Sequence, residues 1–400
     1  MEQELIYKKI AVIGCGASGG LVSLLLTKNP YNNVTAFDVK DAFSTLLPTG
    51  GGRCNITYSE DDVRDFVKNY PRGEKFLISV FSKFDQRKTR QLFKDLGIKT
   101  YVQGDKRVFP ISNSSAKTIQ TLQEHLNVSN FNLKKEKVID LKQNQNVFEI
   151  KTEKGIYKFD YVILATGGRG NGCEFVKKLG HKIIETKPSL CALDIKEKNF
   201  YKLSGLSFSN VIITTKINNK KIEVDGGLLF AHKFITGPAV FKISALTAYE
   251  KFSIQKPLEI NIKITEYSIE EIETVIKNNP KKSIKNVFSK FISESYISEI
   301  LNINKIDGSK QIAQLKKQEK EILLKALFEL KLNVIKRIPD SEIVTAGGID
   351  LNEINSKTME SKIVKKLYFI GEILNIDGYT GGFNLQNCWS CAYICSLNFN

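Results

Sequence analysis

Apolar positions first cluster at Lys8–Ile13, a short continuous run that suits a buried strand better than an amphipathic helix. A second cluster, Leu21 to Leu26, joins Ala17 and continues to about Lys28 with helical length. Val34-Thr-Ala-Phe-Asp38 and Tyr161-Val-Ile-Leu-Ala165 predict further strands. Between them, Glu74 to Phe84 and Arg87 to Leu96 predict helices, and another begins near Ser114, where Ser and Asn offer caps. Val138 to Tyr157 alternates as antiparallel strands do. From about 191 to 262 the chain is β-rich, with Val211-Ile-Ile-Thr-Thr, Lys221-Ile-Glu-Val and Leu258-Glu-Ile-Asn-Ile. From Ser268 to Lys331 it is helical and charged, with apolar residues at Ile269, Ile272, Val275 and Ile276 and again at Ile312, Leu315, Ile322, Leu323, Ala326 and Leu327. Near 340 the strand–turn character returns. The pattern divides the chain into an α/β stretch over residues 1–190, a β-rich stretch over 191–265, a helical stretch over 266–339 and a closing stretch over 340–400.

The first strand runs into Gly14-Cys-Gly16-Ala17-Ser18-Gly19, and a helix follows. Gly14 allows a tight turn, Gly16 lets backbone approach a pyrophosphate, and Gly19 allows the helix to pack close on the strand. The amides of Ala17 and Ser18 open that helix, where its dipole favours negative charge. Asp38 ends the second strand at the spacing of a ribose-binding acid, which suits FAD or NAD better than a 2′-phosphorylated cofactor. A nicotinamide dehydrogenase has no need of the next segment, Gly50-Gly51-Gly52-Arg53-Cys54-Asn55-Ile-Thr57. Its glycines free the backbone to wrap a ligand, and Arg53 brings a fixed charge for phosphate or flavin oxygens. Ala165-Thr166-Gly167-Gly168 ends the third strand in a turn. At the far end stand Thr345-Ala-Gly-Gly-Ile, Thr358-Met-Glu-Ser-Lys, Gly371-Glu372, Asp377-Gly378, and Gly381-Gly382-Phe383-Asn384-Leu-Gln386.

In this order and across nearly the whole chain, these runs resemble the BaiN/RdsA-type flavoproteins, relatives of the flavin domains of fumarate reductases and ketosteroid dehydrogenases. The resemblance implies a glutathione-reductase-like FAD domain with a β-barrel-like insert and a helical insert. It also implies a helix N-terminus at Gly381, Gly382, Phe383 and Asn384 beside the flavin, where free N–H groups stabilise reduced flavin. Gly371, Glu372 and Asp377 become candidates to meet the ribityl and pyrophosphate groups or bound waters. This chain departs from the family pattern at Thr45, Thr49, Asn375, Phe383, Ala231 and Phe234, and in a shortened Arg169-Gly-Asn-Gly-Cys-Glu stretch.

Two residues are candidate acids for proton transfer. Cys54 lies in the glycine-rich run, with a buried loop-holding thiol as the plainer alternative. His232 lies in the run Leu228-Leu-Phe-Ala-His232-Lys-Phe-Ile-Thr-Gly-Pro238, on the substrate side by resemblance. Cys388, Cys391 and Cys395 share one face of the last helix, so close packing explains them better than an iron–sulfur site. No His/Asp/Glu spacing suggests a metal, and no spacing suggests a hydrolase triad. His181 reads as structural.

Composition narrows the class. A chain of 400 residues with 42% hydrophobic content buries a large core. No apolar run approaches membrane-spanning length and no targeting segment is evident, so the expected location is cytoplasmic. Seven scattered cysteines suit a reducing compartment. The net charge is +16, yet only eight of 59 basic residues are Arg. A Lys-, Ile- and Asn-rich composition is also what an AT-rich genome produces, so a polyanionic partner such as ribosomal RNA and simple codon bias both account for the charge. The family resemblance implies reduction of an electron-poor C=C bond, with NADH or NADPH as reductant, and a substrate that is a uridine of ribosomal RNA or a small steroid-like enone. Flavin amine oxidation and non-catalytic flavin binding stay open as alternatives.

Overall fold

The computed structural model describes residues 7–400. Five parallel strands form the central sheet in the order Leu367–Phe369, Tyr161–Leu164, Lys8–Ile13, Asn32–Asp38 and Phe131–Lys135. Ile13 pairs with Leu164 on one side and Phe37 on the other. The carboxyl ends of three strands therefore open at one edge, where Gly14, Asp38 and Ala165 follow. In a doubly wound sheet this edge is where ligands bind.

Every residue of helix Ala17–Leu26 is buried. It packs on the sheet and against helix Phe383–Ser396, so the sequence is apolar all round rather than along one stripe. Closeness here is bought with glycine: a Cβ on Gly19 would stand 1.8 Å from Gly14 O, and one on Gly20 would enter the Phe43 ring. A small antiparallel sheet of Thr57–Tyr58, Arg107–Pro110 and Thr100–Val102 lies beyond the glycine-rich run, flanked by helices Glu74–Lys83 and Gln86–Asp95. A three-stranded antiparallel sheet, Val138–Asn144, Val147–Thr152 and Ile156–Phe159, precedes the third parallel strand. The described residues up to Lys187, together with Val344–Asn400, form one compact unit.

Pro188–Ile343 form a second unit. Six strands close a barrel in the order Leu193–Ile195, Ile235–Thr236, Lys220–Phe230, Ser207–Ile217, Leu258–Lys263 and Leu330–Arg337. Helices Ile269–Lys277, Glu294–Ile303 and Lys317–Phe328 share one hydrophobic cluster with the barrel, in which Phe208, Phe230, Ile260, Tyr296, Leu323 and Leu332 are buried. The α/β architecture with a barrel insert is thus the one the motifs implied. Helix Pro238–Leu246, inside the β-rich stretch, was not foreseen. Pro238 at its first turn and Gly237 at its cap, with φ +113°, start it.

The Thr358-Met-Glu-Ser-Lys run serves the first unit's architecture. Ser361 Oγ lies 3.0 Å from His181 Nε2, and His181 Nδ1 lies 2.8 Å from Glu353 Oε2. The order Ser–His–Glu resembles a hydrolase relay, but Ser361 Oγ also accepts the amides of Ile363 and Val364, and both Ser361 and His181 are buried. The cluster ties together chain segments 180 residues apart. Burial lowers the His181 pKa, against the opposing pull of Glu353. The unfolded chain therefore binds the His181 proton more readily than the native state does. This contribution to stability is complete above the ordinary histidine value of about 6.5 and falls as pH drops below it. Denaturant midpoints measured from pH 7.5 to 5.5 are expected to decline more steeply in the wild type than in H181Q, which carries no titrating group there.

Candidate functional site

Gly14, with φ +90°, turns the chain directly after the first strand, and its amide donates to Phe37 O at 2.8 Å. A Cβ there would stand 2.5 Å from Ala165 O, so the first and third strands converge on the turn. Helix Ala17–Leu26 has Gly16 as its N-cap, which offers no capping side chain, and it has no acid in its first turn. Thr45 Oγ1 accepts from Ala17 N at 3.1 Å and stands where a Cβ on Gly16 would lie, 2.9 Å away. A movable hydroxyl therefore occupies the mouth of an otherwise open helix N-terminus. Asp38 sits beside it: Cys15 N donates to Oδ2 at 2.7 Å and Lys40 N to Oδ1 at 2.9 Å. Each carboxylate oxygen keeps a lone pair for a ligand hydroxyl.

Gly50, Gly51 and Gly52 take φ of +59°, +67° and +81° in succession, and Cys54 follows at +64°. A Cβ on Gly50 would meet Asn55 N at 2.8 Å, so packing requires that glycine. Nothing lies within 4 Å of a Cβ on Gly51 or Gly52. Those two face open space. Gly51→Ala is expected to cost about 1–2 kcal/mol from its left-handed backbone alone, while flavin retained through gel filtration falls far more than that loss explains. Equal flavin retention would show that the glycine serves the loop and no ligand.

Asn55 is buried, and its Oδ1 and the buried Oγ1 of Thr166, in the turn after the third strand, find no partner among the described residues. Gly167, with φ +70°, leaves its Cβ position open except for Glu372 Oε2 at 3.9 Å. Glu372 accepts the Thr345 amide at 2.8 Å. Gly371, with φ +77°, is pressed on Ser18: a Cβ would come within 2.1 Å of its Oγ and 3.5 Å of Cys388 Sγ. The two halves of the chain meet here.

Helix Phe383–Ser396 is the second open N-terminus. Gly382 caps it at φ +101°, with no side-chain acceptor and no acid in the first turn. It lies on the glycine-rich run, since a Cβ would meet Thr57 backbone at 2.6 Å. Trp389 Nε1 donates to Ile56 O at 2.9 Å, and Thr57 Oγ1 donates to Gln386 Oε1 at 2.6 Å. Gln386 Nε2 in turn donates to Thr89 and Ser390 hydroxyls. This buried network fixes the first glycine run against the last helix. Asn384 clamps the preceding loop by accepting Gly378 N and donating to Gly378 O. Phe383 packs among Tyr58, Phe66 and Tyr70, and the Tyr70 hydroxyl donates to Phe383 O. The family tyrosine is replaced by a ring without a polar group, in an aromatic nest.

The remaining expected residues divide. Arg53 stacks over Phe109, its guanidinium carbon 4.1 Å from the ring centre, and donates to Gly50 O and Gln103 Oε1. Asp377 is fully buried in a two-pronged ion pair with Arg72. Both side chains hold loops, Arg53 in the glycine-rich run and Asp377 before the last helix. Arg72 is not singled out by the sequence, although Arg is scarce in this lysine-rich chain, and Thr45 is marked there only as a departure from the family pattern. Cys54 is buried and burial pushes its thiol up to about 11, against a smaller opposing effect of Thr49, so it is neutral at physiological pH. His232 is exposed on the turn before Ile235–Thr236, in the barrel unit. Cys391 and Cys395 are buried in the last helix, Cys391 lying 3.2 Å from Asn387 Oδ1.

The profile of the HI0933-like protein Rossmann domain matches residues 8–398. The chain belongs to the HI0933-like family. Among curated relatives of this HI0933-like protein is the ribosomal RNA dihydrouridine synthase of Haemophilus influenzae, 27% identical over 98% of this chain and 99% of the relative. The enzyme of the same name from Escherichia coli is 25% identical, covering 96% of each chain. The 3-dehydro-bile acid delta(4,6)-reductase of Clostridium scindens is 25% identical over 96% of this chain and 97% of the relative. FAD fits the residues of this HI0933-like protein. Two glycine-capped helix N-termini await anionic groups. The Gly51–Gly52 backbone is unobstructed, and the buried Asn55 and Thr166 oxygens await partners. No helix among the described residues is long and apolar enough to cross a membrane.

Proposed function

We propose that this protein is an FAD-dependent oxidoreductase that reduces the C5=C6 bond of a uridine in ribosomal RNA, with NADH or NADPH as the electron source. The observation that carries the flavin reading is the pair of glycine-capped helix N-termini, at Gly16 and Gly382, on two helices that pack against each other. Bound FAD supplies the hydride chemistry, which no side chain provides. The amides after Gly16 would hold the pyrophosphate, and Asp38 would accept from ribose hydroxyls. The amides of Phe383 and Asn384, with the helix dipole, would offset negative charge on reduced flavin. Arg53, fixed on Phe109, holds the glycine-rich run in its left-handed path.

Reduction of a conjugated C=C bond needs a proton at the α-carbon. Cys54 is a neutral thiol and His232 an exposed imidazole, and these are the two side chains assigned as candidates. A uridine substrate is supported by two relatives that are named ribosomal RNA dihydrouridine synthases and match nearly end to end. The bile-acid reductase supports the second reading, a small enone at the same centre, because both substrates present a C=C bond conjugated to a carbonyl.

Mass-spectrometric mapping of dihydrouridine in ribosomal RNA tests the uridine reading. Cells lacking the gene should lose a dihydrouridine, which wild-type protein restores and a Gly14→Val/Gly16→Val double variant does not. Unchanged RNA would sink the uridine reading and direct attention to enones with purified, flavin-loaded protein.

A further inference from the structure

Six of the eight arginines fall between residues 53 and 107, in a chain whose other cations are almost all lysine. Two of these arginines line an open cavity of about 430 Å³ together with Gln91, Lys94, Lys99, Thr100 and Ile111. Helix Gln86–Asp95 explains the arrangement. Thr89 and Phe93 face inward, Thr89 accepting from Gln386 and Phe93 lying edge-on to Trp389. Arg87, Arg90, Gln91 and Lys94, spaced three and four residues apart, form the outer stripe. Like charges at this spacing destabilise an isolated helix, so the stripe is not there for the helix. Lys99 and Ile111 close the groove from the strand side, and Ile111 is 59% exposed.

We propose that this groove holds the phosphodiester backbone of a single RNA strand, an inference that rests on the ribosomal RNA reading above. Among the described residues, no carboxylate lines the groove. Two acids at its rim touch groove residues: Asp85 caps the helix and pairs with Arg87, and Asp95 accepts from Gln91, so the groove's phosphate-binding cations are Arg90, Lys94 and Lys99. Arg90 is pre-set, its Nε donating to Thr100 Oγ1 at 3.2 Å. The stripe from Arg87 to Lys94 spans about 10 Å at ~1.5 Å per residue, long enough to face more than one phosphate of a strand. A concave cationic groove suits a strand better than a lipid surface, and exposed Ile111 offers one apolar contact for a base. The strands beyond the groove pair back to Thr57, so a strand held there is fixed on the same body as the glycine-rich run.

The test compares flavin-loaded full-length protein, an Arg90→Gln/Lys94→Gln/Lys99→Gln variant and a Lys142→Gln/Lys151→Gln/Lys158→Gln control of equal net charge. Binding of a short fluorescein-labelled single-stranded RNA is followed by polarisation over a range of salt. The groove variant should lose about tenfold or more in affinity at low salt, and its log–log salt slope should shrink by about 2, at ~0.7 per phosphate contact. Its flavin absorbance and melting curve should match the control. Equal losses in both variants, or no RNA binding by the wild type, overturn the groove. The dihydrouridine map separates this outcome from the parent reading. A gene-dependent dihydrouridine with an inert groove leaves the reaction standing and removes the docking site. A groove-dependent affinity with unchanged dihydrouridine keeps the site and removes the reaction.

Discussion

Asp377→Ala should destabilise the first unit by about 3–5 kcal/mol, the usual cost of removing one partner from a buried ion pair. Asp377 is fully buried and Arg72 only 17% exposed, so water replaces a lost partner poorly. The pair joins the loop before helix Glu74–Lys83 to the loop before the last helix, 305 residues later, and backbone pairing between Arg72 and Asp377 reinforces it. Arg72→Met alone should cost a similar amount. A combined Arg72→Met/Asp377→Leu variant should recover much of the loss, since two apolar groups leave no buried charge. Urea melts of the four proteins in the cycle check this. Additive losses in the double variant would show that the two residues act separately.

Gly382→Val should abolish flavin binding and destabilise the fold together. Its φ of +101° excludes an L side chain, and the Cβ would stand 2.6 Å from the Thr57 carbonyl, a backbone obstacle that no rotamer change relieves. Overpacking of this sort costs about 1–3 kcal/mol, with left-handed strain of about 1–2 kcal/mol added. Flavin absorbance after desalting and the thermal midpoint give the two readouts. A variant that keeps both would mean that the last helix can pivot away from the glycine-rich run without consequence.

The strand–turn–helix at Gly14, Gly16 and Gly19 was readable because its constraints are local: each glycine answers to atoms within a few residues or to the next strand. Three of the five parallel strands followed from short apolar runs separated by helices; Phe131–Lys135 and Leu367–Phe369, at the sheet edges, carry no comparable run. The roles of Gly382 and Gln386 were readable only as parts of a longer motif, since their partners, Thr57 and Thr89, lie some three hundred residues away. The Arg72–Asp377 pair and the His181–Ser361 contact left no periodic signal, because a single long-range bond imposes no pattern on its neighbours. Arg53 was assigned to a ligand from its charge alone; its packing on Phe109 depends on sheet pairing that composition does not reveal. The barrel was expected from the family resemblance and not from the pattern, as the strand Leu193–Ile195 has only three residues.

The two open helix ends, at residues 16 and 382, are separated along the chain by the whole barrel unit. On a ribosome adding about 5–20 residues per second, the first half-site waits tens of seconds for the second. During that interval the nascent chain exposes the apolar faces of Ala17–Leu26 that the last helix will cover. Closing so long a loop is entropically costly and slow. Cofactor loading is therefore a late step in biogenesis, and flavin scarcity should raise the fraction of newly made chains reaching the protease before the cofactor.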